Sequence, residues 1–150
     1  MKYDLELIKE ELATLPEWKS QIYLQGDDPE MDPLEPTQGQ NYLLVDKTEE
    51  LYDYPLFDMP YINSIMKEHD LCRTRVMMMK PKTTYYWHND ATKRLHIPIV
   101  THEHCFLVLE DERIHLPADG TAYVVDTTKY HTAMNCSKIN RIHIVGAFKT

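Results

Sequence analysis

Arg73-Thr74-Arg75-Val76-Met77-Met78-Met79-Lys80 opens a series of eight short β-type runs that fills the second half of the chain. The others are Thr83 to Trp87, Leu95 to Thr101, Cys105 to Leu109, Arg113 to Leu116, Thr121 to Val125, Tyr130 to Asn135 and Arg141 to Phe148. Eight runs at this spacing predict a sandwich or barrel. The connectors Glu110-Asp111-Glu112, Pro117-Ala118-Asp119-Gly120 and Ser137-Lys138-Ile139-Asn140 carry the turn residues that hairpins and Greek-key corners need. Helical periodicity is confined to the first half. The expected fold is therefore mainly β: a double-stranded β-helix, or jelly roll, with N-terminal α-helices beside it.

Working outward, Leu5, Ile8, Leu12 and Leu15 recur at helical spacing and Pro16 ends the pattern, which predicts an amphipathic helix over residues 4–15. A second helix is expected from Asp58 as cap, Pro60 in the first turn and a stripe of Ile62, Ile65 and Met66. Residues 25–40 hold three prolines, two glycines and five acids without a base, and read as a long surface loop, with a lid as the alternative. The organisation expected is one domain over 1–150, with a helical and loop flank over 1–72 and a β core over 73–148.

Composition narrows the functions. The chain has 150 residues, 43% hydrophobic, a formal net charge of −8 and five arginines with no basic run among them, so nothing in it suits a polyphosphate backbone and no nucleic-acid partner is expected. No apolar run approaches the roughly 18 residues of a membrane span, and the N-terminus lacks an apolar leader, so a cytoplasmic protein is expected. The four glycines form neither a dinucleotide fingerprint nor a P-loop. Cys72, Cys105 and Cys136 are odd in number and far apart, which fits free thiols, buried or half-buried, better than a disulfide framework.

The chemistry gathers around His88 and Asp90, which bracket one residue at a strand end. Alternation of strand side chains puts both on one face, roughly 6.6 Å apart at Cα. The pair is weak evidence alone in a chain with 8 histidines and 24 acids. With His131 on a later strand it becomes two histidines and a carboxylate, the facial triad that leaves coordination positions open on non-heme Fe(II). The competing reading is a hydrogen-bonded trio without metal. Ten residues after His131, Arg141 can grip a carboxylate through two parallel hydrogen bonds; the alternative is a surface ion pair. Arg94 and His96 share a face opposite Leu95 and Ile97, with plain half-exposed polar residues as the alternative. Thr101 to His104 reads as a hairpin loop rather than a second metal site, because no zinc-type ligand spacing follows.

The stretch Trp87-His88-Asn89-Asp90, then Arg94-Leu95-His96-Ile97-Pro98-Ile99, His131 with Asn135, and Arg141-Ile142-His143-Ile144-Val145 resembles the aspartyl/asparaginyl β-hydroxylase family of Fe(II)/2-oxoglutarate oxygenases, which includes bacterial cis-hydroxylases of free proline. The resemblance covers residues 73–148. It implies that His88, Asp90 and His131 hold iron, that Arg141 holds the distal carboxylate of 2-oxoglutarate, and that Arg94 and His96 lie near its chelating end, with O2 as the other cosubstrate. Animal peptide hydroxylases of the family lack the carboxylate ligand, so Asp90 aligns this chain with the complete-triad bacterial branch. Where those enzymes place a serine against 2-oxoglutarate, this chain has Met77; Thr83 or a tyrosine would have to supply the contact.

The expected activity is hydroxylation of a C–H bond in a small carboxylate substrate such as a free amino acid, or in a short peptide. The alternative is a non-catalytic sensor of 2-oxoglutarate or metal on the same scaffold. If Met77 faces the cosubstrate pocket, alternation puts Arg75, and less directly Arg73, on that face, where a substrate carboxylate would neutralise it; pairing with an acid at the rim is the competing reading. The sequence leaves the oligomeric state open.

Overall fold

A computed structural model describes residues 1–34 and 49–150. Within them, helix α1 (Leu5–Leu12) and helix α2 (Pro60–Glu68) accompany strands β1 (Gln21–Tyr23), β2 (Gln25–Gly26), β3 (Tyr54–Pro55), β4 (Leu71–Met79), β5 (Thr83–Thr84), β6 (Arg94–Val100), β7 (Cys105–Leu109), β8 (Glu112–Ile114), β9 (Tyr123–Val125), β10 (His131–Asn135) and β11 (Arg141–Phe148). Each of the eight expected runs overlaps a strand. They form a five-stranded sheet in the order β1-β4-β11-β6-β9 and a four-stranded sheet in the order β5-β10-β7-β8, antiparallel throughout. From β4 to β11 the chain crosses between the sheets at every connection but one, the β7–β8 hairpin. This is the double-stranded β-helix.

Alternation divides the larger sheet between two cores. Val76, Ile144 and Ile97 are cross-strand neighbours, and they face a core that includes Ile8 of α1 and Ile62, Ile65 and Met66 of α2. The opposite face packs Met79 and Val125 against Leu107 and Ala133 of the smaller sheet. The helices thus cover one face, and the other is left for the space between the sheets.

Several local expectations are corrected. Helix α1 stops at Leu12, with Asp4 accepting from the Leu7 N–H as its N-cap. Asp58 does not cap α2; the cap position is Met59. Glu11 of α1 does the work instead, accepting from the Tyr61 and Ile62 N–H groups at 2.8 Å each, so a neighbouring helix supplies the acceptor that the free donors of the first turn require. Residues 1–72 are more than a helical flank, because Gln21–Tyr23 extends the larger sheet beside β4. Gln25 and Gly26 are not surface loop but buried strand: Gln25 accepts from the Thr74 N–H and donates to the Leu71 carbonyl. The lid reading of residues 25–40 falls partly outside the described residues. Residues 101–104 join strands of different sheets, so they form a crossover corner and not a hairpin. Cys72 and Cys105 are buried free thiols, whereas Cys136 is exposed.

Candidate functional site

Between the two sheets lies a cavity of about 510 Å³. The larger sheet contributes Arg75, Met77, Arg94, His96, Arg141 and Val145 to its lining; His131 and Ala133 of β10, Leu107 of β7 and Tyr85 face them. All seven site residues singled out from sequence line this one space: His88, Asp90, His131, Arg141, Arg94, His96 and Arg75. Tyr85 and Tyr86 both line the wall with Met77, while the Thr83 hydroxyl is turned to the Pro81 carbonyl and does not line it.

His88, Asp90 and His131 come together with their ligand atoms all within 4.8 Å of one another. His88 Nε2 lies 3.9 Å from Asp90 Oδ1, and His131 Nε2 lies 3.6 Å from Asp90 Oδ2. Both rings are oriented the same way. His88 Nδ1 is 2.8 Å from the Tyr86 carbonyl and His131 Nδ1 is 2.9 Å from the Lys129 carbonyl. A carbonyl can only accept, so each Nδ1 carries the proton and each Nε2 offers a lone pair to the shared point, the arrangement that metal-ligating histidines require. Each carbonyl lies two positions before its ring in the chain, so the geometry is built locally.

The main chain holds the two halves in register. His88 and His131 form an isolated antiparallel bridge, and the Asp90 N–H donates to the Thr127 carbonyl at 2.8 Å. The expected strand over 83–87 is confined to Thr83–Thr84; beyond it Tyr86 and Trp87 are exposed, Tyr86 lines the cavity and Trp87 stacks on Tyr130.

Around this trio the cations differ sharply in their partners. Arg94 Nε lies 3.5 Å from Asp90 Oδ2, Nη1 donates to the Thr92 carbonyl and hydroxyl, and Nη2 donates to Glu49 Oε1 at 3.1 Å. It orients Asp90 and leaves one N–H without an acceptor among the described residues. Arg73 shares the same Glu49 oxygen at 3.4 Å and donates from Nε to Tyr23 Oη at 3.1 Å. Arg141, only 4% exposed, has no acceptor among the described residues, and its Nε is sealed from solvent. Burial pushes the Arg141 guanidinium down from its usual pKa, the mark of a charge waiting for a counter-ion.

His96 and His143 form a buried pair with Nδ1 atoms 3.1 Å apart, so one donates and the other accepts. Burial, with Arg141 and Arg94 nearby, pushes His96 down to about 3, and burial pushes His143 well below the usual imidazole value. Both rings are neutral at physiological pH. Glu49 and His143 escaped the sequence reading. Glu49 lies in an acidic, locally featureless stretch, whereas His143 stands two residues after Arg141, where strand alternation places it on the same inward face.

A family model of aspartyl/asparaginyl β-hydroxylases matches residues 4–149 of the chain. No curated protein sequence matches it. Among solved structures it is similar to a cupin domain from Bordetella pertussis Tohama I, at 15% identity over 52% of this chain and 81% of that one, with a TM-score of 0.46. A predicted oxalate decarboxylase from Thermotoga maritima aligns at 10% identity over 58% and 73% of the two chains, also with a TM-score of 0.46.

Proposed function

Because the chain belongs to the aspartyl/asparaginyl β-hydroxylase family, we propose that it is an Fe(II)- and 2-oxoglutarate-dependent oxygenase that hydroxylates a C–H bond of a small carboxylate-bearing molecule, or of a residue in a short peptide. The observation that carries this reading is the coexistence, in one cavity, of a His-Asp-His group with both Nε2 lone pairs converging and a buried, unneutralised Arg141.

The residues fit both groups. Two imidazoles and one carboxylate form a ligand set suited to a divalent iron with coordination positions to spare. Arg141 has the fork for a carboxylate and no acceptor for it among the described residues. With Fe(II) and 2-oxoglutarate bound, the pair would supply oxidative decarboxylation by dioxygen, giving succinate, carbon dioxide and the hydroxylated product.

The chain's own residues then position and insulate. His88, Asp90 and His131 would hold the ion, each histidine fixed by its carbonyl and Asp90 by Arg94. Arg141 would take the distal carboxylate of 2-oxoglutarate. His96, neutral and backed by His143, lines the wall nearer the metal group and would meet the chelating end with the remaining N–H of Arg94. Leu107, Ala133, Val145 and Met77 would limit water around the reacting atoms. The free cysteines suit a reducing, cytoplasmic location.

The test is substrate-dependent succinate release with Fe(II), 2-oxoglutarate and O2, beside anaerobic Fe(II) titration. Fe(II) binding with 2-oxoglutarate turnover is expected. Stoichiometric binding of both without turnover on any amino acid, small acid or peptide would favour a sensor, and absence of Fe(II) binding would overturn the reading.

A further inference from the structure

Arg75 shares its rung of the larger sheet with Val145 and His96, whereas Arg141 stands four residues away along β11, about 13 Å at strand rise. Two arginines therefore enter one cavity near opposite ends. Arg75 Nη1 donates to Gln21 Oε1 at 3.1 Å, an uncharged acceptor. Its Nε is sealed without a partner, Nη2 has no acceptor among the described residues, and no carboxylate of those residues forms an ion pair with it. The Tyr23 ring lies 5.8 Å from the guanidinium, a contact that steadies a cation without neutralising it.

Its surroundings add to the imbalance. Arg73 and Arg94 rest on the same oxygen of Glu49, and Asp90 is committed to the metal group. Three guanidinium groups at this end thus face Glu49 and Asp90, and Asp90, 3.5 Å from Arg94 Nε, is shared with the metal group. Burial, then the nearby Arg73 charge, pushes Arg75 down to about 9, so it remains protonated near neutral pH and its cost stands.

We infer that Arg75 is a second anion subsite, distinct from the Arg141 anchor, and that the substrate is a small acid of net negative charge whose carboxylate takes the open edge of the Arg75 guanidinium. This rests on the oxygenase reading, in which 2-oxoglutarate occupies the Arg141 end. The same surplus narrows the sequence expectation of a free amino acid. The ammonium group of a neutral amino acid would enter beside three guanidinium groups, and Glu49, the acid outside the metal group that pairs with them among the described residues, already accepts from two. A dicarboxylate or an acidic amino acid brings the compensating charge.

Calorimetric titration of the anaerobic protein, saturated with 2-oxoglutarate and with Mn(II) standing in for iron, tests this with malate, glutarate and aspartate, against alanine, proline and alanyl-alanine. At least one acid binds, and Arg75→Met weakens it roughly tenfold or more while 2-oxoglutarate affinity stays within about twofold. Arg75→Lys, which keeps the charge without the fork, falls between and serves if the methionine variant does not fold. Equal acid binding in both variants and wild type, binding only of the neutral arm, or a loss of 2-oxoglutarate affinity in Arg75→Met would overturn the assignment. Failure of the oxygenase reading looks different: the wild type then takes up no 2-oxoglutarate, while acid binding still depends on Arg75.

Discussion

His88 and His131 clasp each other through the main chain: the His88 N–H donates to the His131 carbonyl at 3.1 Å and the His131 N–H donates to the His88 carbonyl at 2.8 Å, with ring centroids 4.4 Å apart. The backbone of two segments far apart in sequence therefore sets the separation of the two histidines proposed to hold the metal before any ion arrives. Such preorganisation lowers the ordering that binding would otherwise require.

Either histidine is thus replaceable without disturbing the bridge, which runs through peptide groups. His88→Ala and His131→Ala are each expected to abolish stoichiometric Fe(II) binding while the circular dichroism spectrum stays native. Asp90→Ala weakens binding less completely. Anaerobic titration checks this, and unchanged affinity in His131→Ala would show that the trio does not hold the metal.

Arg141→Ala is expected to raise the 2-oxoglutarate dissociation constant at least tenfold, because loss of a charge-assisted anchor costs about 1.5–3 kcal/mol. Arg141→Lys lies between, since a point charge replaces the fork. Unchanged affinity in Arg141→Ala would move the anchor to another cation in the cavity.

Glu49 bridges Arg73 and Arg94 with one oxygen, and all three side chains are at most 10% exposed. Glu49→Gln leaves buried Arg73 without a counter-charge and Arg94 with Asp90 alone, 3.5 Å from its Nε, and is expected to cost about 3–5 kcal/mol, the range for breaking a buried ion pair from one side. Urea denaturation measures it. A loss below about 1 kcal/mol would mean that water or another acid screens the two arginines.

Stability is expected to fall on mild acidification. His96 and His143 are held below their unfolded value of about 6.5, chiefly by burial, so the unfolded chain binds more protons as the pH drops below that value. The folded state is at full strength above about 6.5 and loses roughly 1.4 kcal/mol per pH unit for each ring down toward the folded values. Between pH 7 and 5 this amounts to about 2–4 kcal/mol, with a shallower slope in His143→Gln. The carboxylates held low, Glu50, Asp119 and Asp126, act only below about pH 4.5 and leave this window to the histidines. A flat profile from pH 7 to 5 would contradict the neutral pair.

Local pattern was enough for the β-helix because alternation and turn chemistry are written into neighbouring residues: Cys105–Leu109 and Arg141–Phe148 coincide with the expected runs, and Ile62, Ile65 and Met66 are buried as their stripe required. The same periodicity put Arg94 and His96 opposite Leu95 and Ile97, and Arg75 on the face of Met77. Strand β1 escaped notice because three residues carry too little periodicity and are held by pairing with β4.

Charge balance was beyond local reading. Sequence alone read Arg141 as a carboxylate anchor or a surface ion pair, Arg94 as sharing a face with His96, and Arg75, less directly Arg73, as an inward cation for a substrate carboxylate or an acid at the rim, without telling which of them a protein acid neutralises. Only the tertiary structure brought Glu49 to Arg73 and Arg94, left Arg75 with the Gln21 amide, and left Arg141 with no acceptor among the described residues. Side-chain direction follows from a period of two within one strand, whereas which charge meets which counter-charge depends on segments that packing alone brings together.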